Sequence, residues 1–166
     1  NSAGKRIHFA SALTLLGLTD GDNASTGYGY TDIADFIIQH GSNVEQNLEE
    51  LFRRVAFYII IGNSDDHFRN HGFLLTRKGW ELSPAYDINP TLADNQSLLI
   101  NRSTSESNLN ILLASAGDYM LSAEKAKSII NEVKTVMKSW RTEARRLGLP
   151  QRDIDIFAPR FDRWIE

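Results

Sequence analysis

The stretch Val55-Ala56-Phe57-Tyr58-Ile59-Ile60-Ile61-Gly62-Asn63-Ser64-Asp65-Asp66-His67 decides how this chain is read. Its first half is apolar on every side, which predicts a helix end buried all round. Its second half turns abruptly polar, with two acids and a histidine. A buried helix that delivers its C-terminus into a polar loop is a rigid mount for a site. Upstream, Val44, Leu48, Leu51, Phe52 and Val55 form one helical stripe, and Ser42-Asn43-Val44-Glu45 has the serine-to-glutamate spacing of a capping box. A long helix is therefore expected from Ser42 to about Ile61.

Downstream, Gly72 to Thr76 and Trp80 to Ser83 flank Arg77-Lys78-Gly79 and predict a β-hairpin. Ser83-Pro84 ends its second strand and leads into Ala85-Tyr86-Asp87-Ile88-Asn89-Pro90. Further out, Ile7 to Leu16 reads as a helix stopped by Gly17, and Thr31 as the cap of a helix carrying Ile33, Phe36 and Ile37 up to Gly41. Ser97 to Ile100 is a candidate short strand. Helices are expected over Asn108 to Ala116, from Ser122 to about Leu147, and after Pro150, with Ile129, Val133, Val136, Met137 and Trp140 at core spacing. The expected class is mainly α with a small β-hairpin, in one domain over residues 1–166.

Composition narrows the function classes. With 18 basic against 21 acidic residues the net charge is −3, which argues against a dedicated nucleic-acid binder, and Arg141, Arg145 and Arg146 read as a solvated helix face. The absence of cysteine removes disulfides and thiolate zinc sites. The longest apolar run, Val55 to Ile61, falls far short of the roughly 18 residues that span a bilayer, and no charged leader opens the chain. A soluble, cytoplasmic protein without membrane or direct nucleic-acid contacts is expected.

Asp65, Asn70 and Asp87 are the chemical candidates. Phosphoryl transfer needs a carboxylate to receive the acceptor's proton and hard oxygen ligands to hold magnesium against phosphates. An aspartate, an asparagine five positions later and a second aspartate beyond a hairpin form that arrangement. Each residue also has a structural reading: a turn cap for Asp65, a loop brace for Asn70, an Asx turn for Asp87. His67 and His71 stand four apart, a spacing that formally suits a metal site, but Gly72 and the loop composition argue against a helix there. His8, His40 and His71 read as structural or surface residues.

The run Ile61-Gly62-Asn63-Ser64-Asp65-Asp66-His67-Phe68-Arg69-Asn70-His71-Gly72-Phe73-Leu74 closely resembles the catalytic loop of HipA-like serine/threonine kinases. Trp80 to Pro90 resembles the same family's metal-binding segment, and Arg6 to Gly17 the start of its C-terminal lobe. The resemblance implies a protein-kinase-like C-terminal lobe of the HipA type. It implies Asp65 as the catalytic aspartate, Asn70 and Asp87 as magnesium ligands, and His67 as a loop-shaping or nucleotide-touching residue. It gives Asp66 no step. Mg2+ and ATP are the implied cofactors, and a protein hydroxyl, often in the translation machinery, the implied acceptor. A DNA-binding HipB-like antitoxin is the implied partner.

A kinase also needs a phosphate-covering loop and a strand lysine ahead of the catalytic loop. Gly27-Tyr28-Gly29 lacks flanking strands and reads as an ordinary loop, and Lys5 lies in a loop-like start. The chain is therefore expected to be the C-terminal lobe of a longer protein, needing its N-terminal lobe, folded yet nearly inactive alone, with weak magnesium and poor nucleotide binding. Two other readings stand beside this one: a non-catalytic interaction domain on a degenerate kinase fold, and a metal-dependent phosphohydrolase.

Overall fold

The computed structural model describes residues 6–165; Asn1 to Lys5, expected to form a loop, lie outside them. The first element corrects an expectation. Ile7 to Leu16 is not one helix but a strand, β1 (Phe9–Ser11), followed by a single turn, α1 (Ala12–Leu15). An apolar run of this length does not choose between helix and strand. The choice comes from an edge elsewhere in the chain, which supplies β1 with backbone partners.

A turn-rich loop containing a 3-10 turn at Ala24–Thr26 leads to α2 (Tyr30–His40). Thr31 does not cap it but lies buried in the first turn; Gly29 begins the helix, and its N–H donates to the Asp32 carboxylate at 2.7 Å. The next helix, α3 (Val44–Ile61), starts where expected, without the capping box. Asn43 is its cap in the left-handed region, at φ 48°. The Ser42 hydroxyl instead donates to Glu81 at 2.7 Å, so the serine ties the helix start to the hairpin.

The hairpin forms as expected, from β2 (Gly72–Thr76) and β3 (Gly79–Leu82), with Thr76 opposite Gly79. β1 pairs antiparallel to its free edge, Phe9 opposite Leu74, giving a three-stranded sheet in the order β1-β2-β3. Ser97 to Ile100 forms no strand. It is a buried irregular segment whose Leu99 carbonyl accepts the Tyr30 N–H at 3.0 Å.

Four helices follow: α4 (Leu109–Ala114), α5 (Ala123–Met137), α6 (Trp140–Arg146) and α7 (Gln151–Ile165). The single helix expected from Ser122 to Leu147 is broken at Lys138-Ser139. There the Ser139 hydroxyl bonds the Val136 carbonyl at 2.9 Å, and α6 turns so that Trp140 and Arg141 meet Asp162 of α7. Val136, expected in the core, is 72% exposed.

The core is built around α3, packed by α2, α4, α5 and α7. Leu48, Leu51, Phe52, Val55, Ile59 and Ile60 are fully buried, each worth about 1.5–3 kcal/mol relative to an exposed side chain. The apolar-all-round end of α3 is thus enclosed as its composition demands. Among the described residues no helix is long and apolar enough to cross a membrane.

Candidate functional site

α3 ends because Gly62 adopts φ 71° and ψ 40°, its N–H closing on the Tyr58 carbonyl. Only glycine suits this point. A Cβ there would lie 2.4 Å from the Thr91 carbonyl oxygen and 2.8 Å from Arg160 Nε. Arg160, brought from α7 and buried, donates to the Ile59 carbonyl at 3.2 Å. It thus places a cation at the negative end of α3, directly beneath the polar loop.

The loop is then stitched down residue by residue. Gly62 O accepts the N–H groups of Ser64 and Thr91, each at 2.8 Å. Asn63, 2% exposed, accepts the Asn89 N–H at 2.8 Å. The Ser64 carbonyl accepts both the N–H and the hydroxyl of Ser97, at 2.9 and 2.8 Å. Asp65 follows, exposed, and among the described residues its carboxylate has no hydrogen-bond partner. Asp66 points the other way, 1% exposed, with one carboxylate oxygen accepting Tyr30 Oη at 2.8 Å and bonded to His71 Nε2 at 2.7 Å.

A 3-10 turn at Phe68–Asn70, anchored by buried Phe68, completes the loop. Asn70 is 6% exposed; its N–H donates to the His67 carbonyl at 2.8 Å, and among the described residues its amide side chain makes no hydrogen bond. His67 is half-buried, with Nε2 3.3 Å from Arg69 Nη2 and Nδ1 enclosed without a partner. Arg69 reaches outward to an ion pair with Asp20.

Asp87 sits in the left-handed region at φ 55°. The residues around it are bonded to the loop: Tyr86 Oη donates to the Arg69 carbonyl at 2.6 Å, and Asn89 N–H to Asn63. Asp87 is therefore held between two stitches, beside the turn that carries Asn70. Its Oδ1 accepts Asn89 Nδ2 at 3.0 Å, leaving Oδ2 free of side-chain donors among the described residues. Burial, with the Asp66 and Asp87 carboxylates adding to it, raises the Tyr86 phenol above its ordinary range.

The fold thus gathers Asp65, His67, Asn70 and Asp87 at one end of α3. The donor set suits magnesium: an amide oxygen and a carboxylate oxygen are hard ligands, and magnesium needs few protein ligands when water and phosphates fill the rest. His67 and His71 do not converge, since His71 is fully buried with Nε2 on Asp66. Among the described residues no three His, Cys, Asp or Glu side chains form a metal cluster. Gly27-Tyr28-Gly29 is the ordinary loop expected: Gly27 closes a 3-10 turn and Gly29 opens α2. Of the three basic residues expected on a solvated face, Arg145 and Arg146 are exposed while Arg141 is engaged by Asp162.

Sequence reading missed the buried contacts of Asp66 and the roles of Asn63 and Arg160. Only the adjacency of Asp66 to Asp65 hinted at the first. Nothing in the sequence pointed to Tyr30 or to Arg160, whose partners lie 36 and 101 positions away.

The HipA-like C-terminal domain model matches residues 1–140. A Haemophilus influenzae protein named "Putative kinase" is 39% identical over 60 residues, which make up 36% of this chain and 18% of that protein. Among solved structures, a chain from the Shewanella oneidensis MR-1 toxin–antitoxin complex of HipA, HipB and operator DNA matches with a TM-score of 0.77 at 16% identity. That match covers 99% of this chain and 45% of the other, and at such identity it is a likeness of fold. The chain thus spans less than half of either relative. With most of its length matched by the family model, it belongs to the HipA-like C-terminal domain family.

Proposed function

We propose that this chain is the catalytic-loop lobe, over residues 1–166, of an ATP-dependent protein serine/threonine kinase. The observation that carries the proposal is the double stitch, Tyr86 to Arg69 and Asn89 to Asn63, that holds Asp87 against the loop bearing Asp65 and Asn70. In this reading Asp65 orients the acceptor hydroxyl and takes its proton as the hydroxyl oxygen bonds the γ-phosphorus and ADP departs. Asn70 and Asp87 would hold Mg2+, and His67 would steady the loop or touch nucleotide. Bound Mg2+ supplies charge neutralisation between the phosphates. The lobe that grips most of the nucleotide belongs to the longer parent protein, so the 166-residue chain alone transfers little or nothing. A protein hydroxyl in the translation machinery is the proposed acceptor. A HipB-like partner is proposed on the strength of the complex in which the similar fold occurs. A cytoplasmic location accords with such chemistry.

The test is transfer of labelled γ-phosphate from Mg·ATP by the full-length parent, by this chain alone, and by the parent carrying Asp65→Ala. The expected result is labelling of the parent or a protein acceptor, lowered about 10²–10⁴-fold by Asp65→Ala, the range of a lost general base. A folded parent that labels nothing, yet still holds a protein partner, would instead mark the lobe as an interaction domain. Release of free phosphate without protein labelling would mark a phosphohydrolase.

A further inference from the structure

Asp65 and Asp66 are neighbours with opposite fates: one is exposed, the other 1% exposed. The buried acid is not idle. A single oxygen of Asp66 takes Tyr30 Oη at 2.8 Å and His71 Nε2 at 2.7 Å, and both partners are 0% exposed. The Tyr30 and His71 rings also meet edge to face, with centroids 5.7 Å apart. Tyr30 is the first residue of α2, and His71 immediately precedes β2, where its carbonyl accepts the Ala12 N–H at 2.7 Å. The carboxylate therefore ties the loop to a helix on one side and to the sheet on the other.

What the tie encloses matters. The Asp66–His71 bond closes a ring across His67, Phe68, Arg69 and Asn70, the turn carrying the asparagine proposed as a metal ligand. Asp65 is the residue where that ring meets the rest of the loop. Broken, the ring would leave the turn of Asn70 fastened from outside by Tyr86 and Asp20 at Arg69 and by Ala12 at His71, with no buried side-chain tie across it. A buried charge-bearing group with a dedicated pair of donors is costly to assemble and far stronger than a surface contact.

We propose that Asp66 is a positioning residue, an inference that rests on the kinase reading of the site. Gripped by Tyr30 and His71, it sets where Asn70 and Asp65 stand relative to Asp87 without touching substrate or metal itself. Tyr30 is the remote half of this device, so α2 takes part in shaping the metal site although it contributes no ligand.

The experiment is Mn2+ binding to the 166-residue chain followed by NMR, with paramagnetic broadening reporting the site, for wild type, Tyr30→Phe and Asp66→Asn. Ile129→Val is the control, a core truncation remote from the loop that loosens the fold while sparing the tie. The expected result is broadening of Asn70 and Asp87 in wild type. Apparent Mn2+ affinity should then fall about ten-fold or more in Tyr30→Phe and Asp66→Asn, the range seen when the support of a metal ligand is removed. Ile129→Val should keep the wild-type affinity. Because Tyr30→Phe keeps its ring, it tests the hydroxyl even if Asp66→Asn fails to fold.

Folded Tyr30→Phe with wild-type affinity and an unchanged broadening pattern overturns the positioning role while leaving the kinase reading standing. An affinity loss in Ile129→Val equal to that in Tyr30→Phe also overturns it, reducing the tie to general stability. Wild type with no broadening at Asn70 or Asp87 removes the metal site of this chain and with it the positioning role, while phosphoryl transfer by the full-length parent still decides the kinase reading.

Discussion

At the scale of the residue, Gly62 carries more constraint than any acid in the loop. It must take a left-handed conformation, which costs a side-chain-bearing residue about 1–2 kcal/mol. It must also leave room for the Thr91 carbonyl and Arg160, both closer than a Cβ allows. Gly62→Ala should therefore lower unfolding free energy by about 2 kcal/mol or more, a fall of about 4–8 °C in Tm for a domain of this size. Gly17 provides the comparison. It has φ +66° but nothing within 4 Å of where a methyl group would stand, so Gly17→Ala should incur the conformational part alone. Paired urea titrations check this, and equal losses at the two sites would remove the crowding explanation. The same scale shows why Asp65 and Asp66 could not be told apart from sequence. Adjacent loop residues have no fixed period, so which acid turns inward depends on whether donors such as Tyr30 and His71 wait there.

At the scale of the element, helix interiors were legible, as were the ends of α2 and α3, while the ends of the later helices were not. The stripe of α3 and the apolar face of α5 follow from spacing, because burial repeats with the helical turn. Where one helix stops and the next begins was decided by contacts across the chain. The break between α5 and α6 is the clearest case: Asp162 of α7 receives Trp140 Nε1 at 3.2 Å and Arg141 Nη1 at 2.6 Å, and no local signal requires the turn. The Arg141 guanidinium, assisted by the Trp140 indole, holds the Asp162 carboxyl below its ordinary range against the opposing effect of burial. A depressed folded-state pKa means stability present above the unfolded value, near 3.9, and lost as pH falls through the folded one. Wild type should thus outlast Asp162→Asn in thermal unfolding at neutral pH, with the gap closing below about pH 4. A gap that persists undiminished in acid would show that the staple owes nothing to ionisation.

At the scale of the whole molecule, the buried tyrosines report on integrity. Burial foremost raises the phenols of Tyr30, Tyr58 and Tyr119, with the Asp66 charge adding to the first two and Asp118 to the third. A raised folded-state pKa gives stability that is complete below the unfolded value, about 10, and is lost as pH climbs above it. The tyrosinate absorbance of these three should appear only together with loss of helical circular dichroism. Full titration of all five tyrosines with the helices intact would contradict their enclosure. By itself the sequence determined the class of fold, the helix that carries the site, the hairpin beyond it, and the order of Asp65, Asn70 and Asp87, because periodicity and motif spacing are local properties of a chain. Tertiary structure alone decided that β1 joins the hairpin, that Ser42 serves the sheet instead of capping α3, and that Asp66 turns inward to Tyr30. It alone tied the residues on either side of Asp87 to the loop that carries Asn70, and set Arg160 under Gly62. Each of these depends on a partner tens of residues away, and a hydrogen bond of that reach exists only once the core has brought its two ends together.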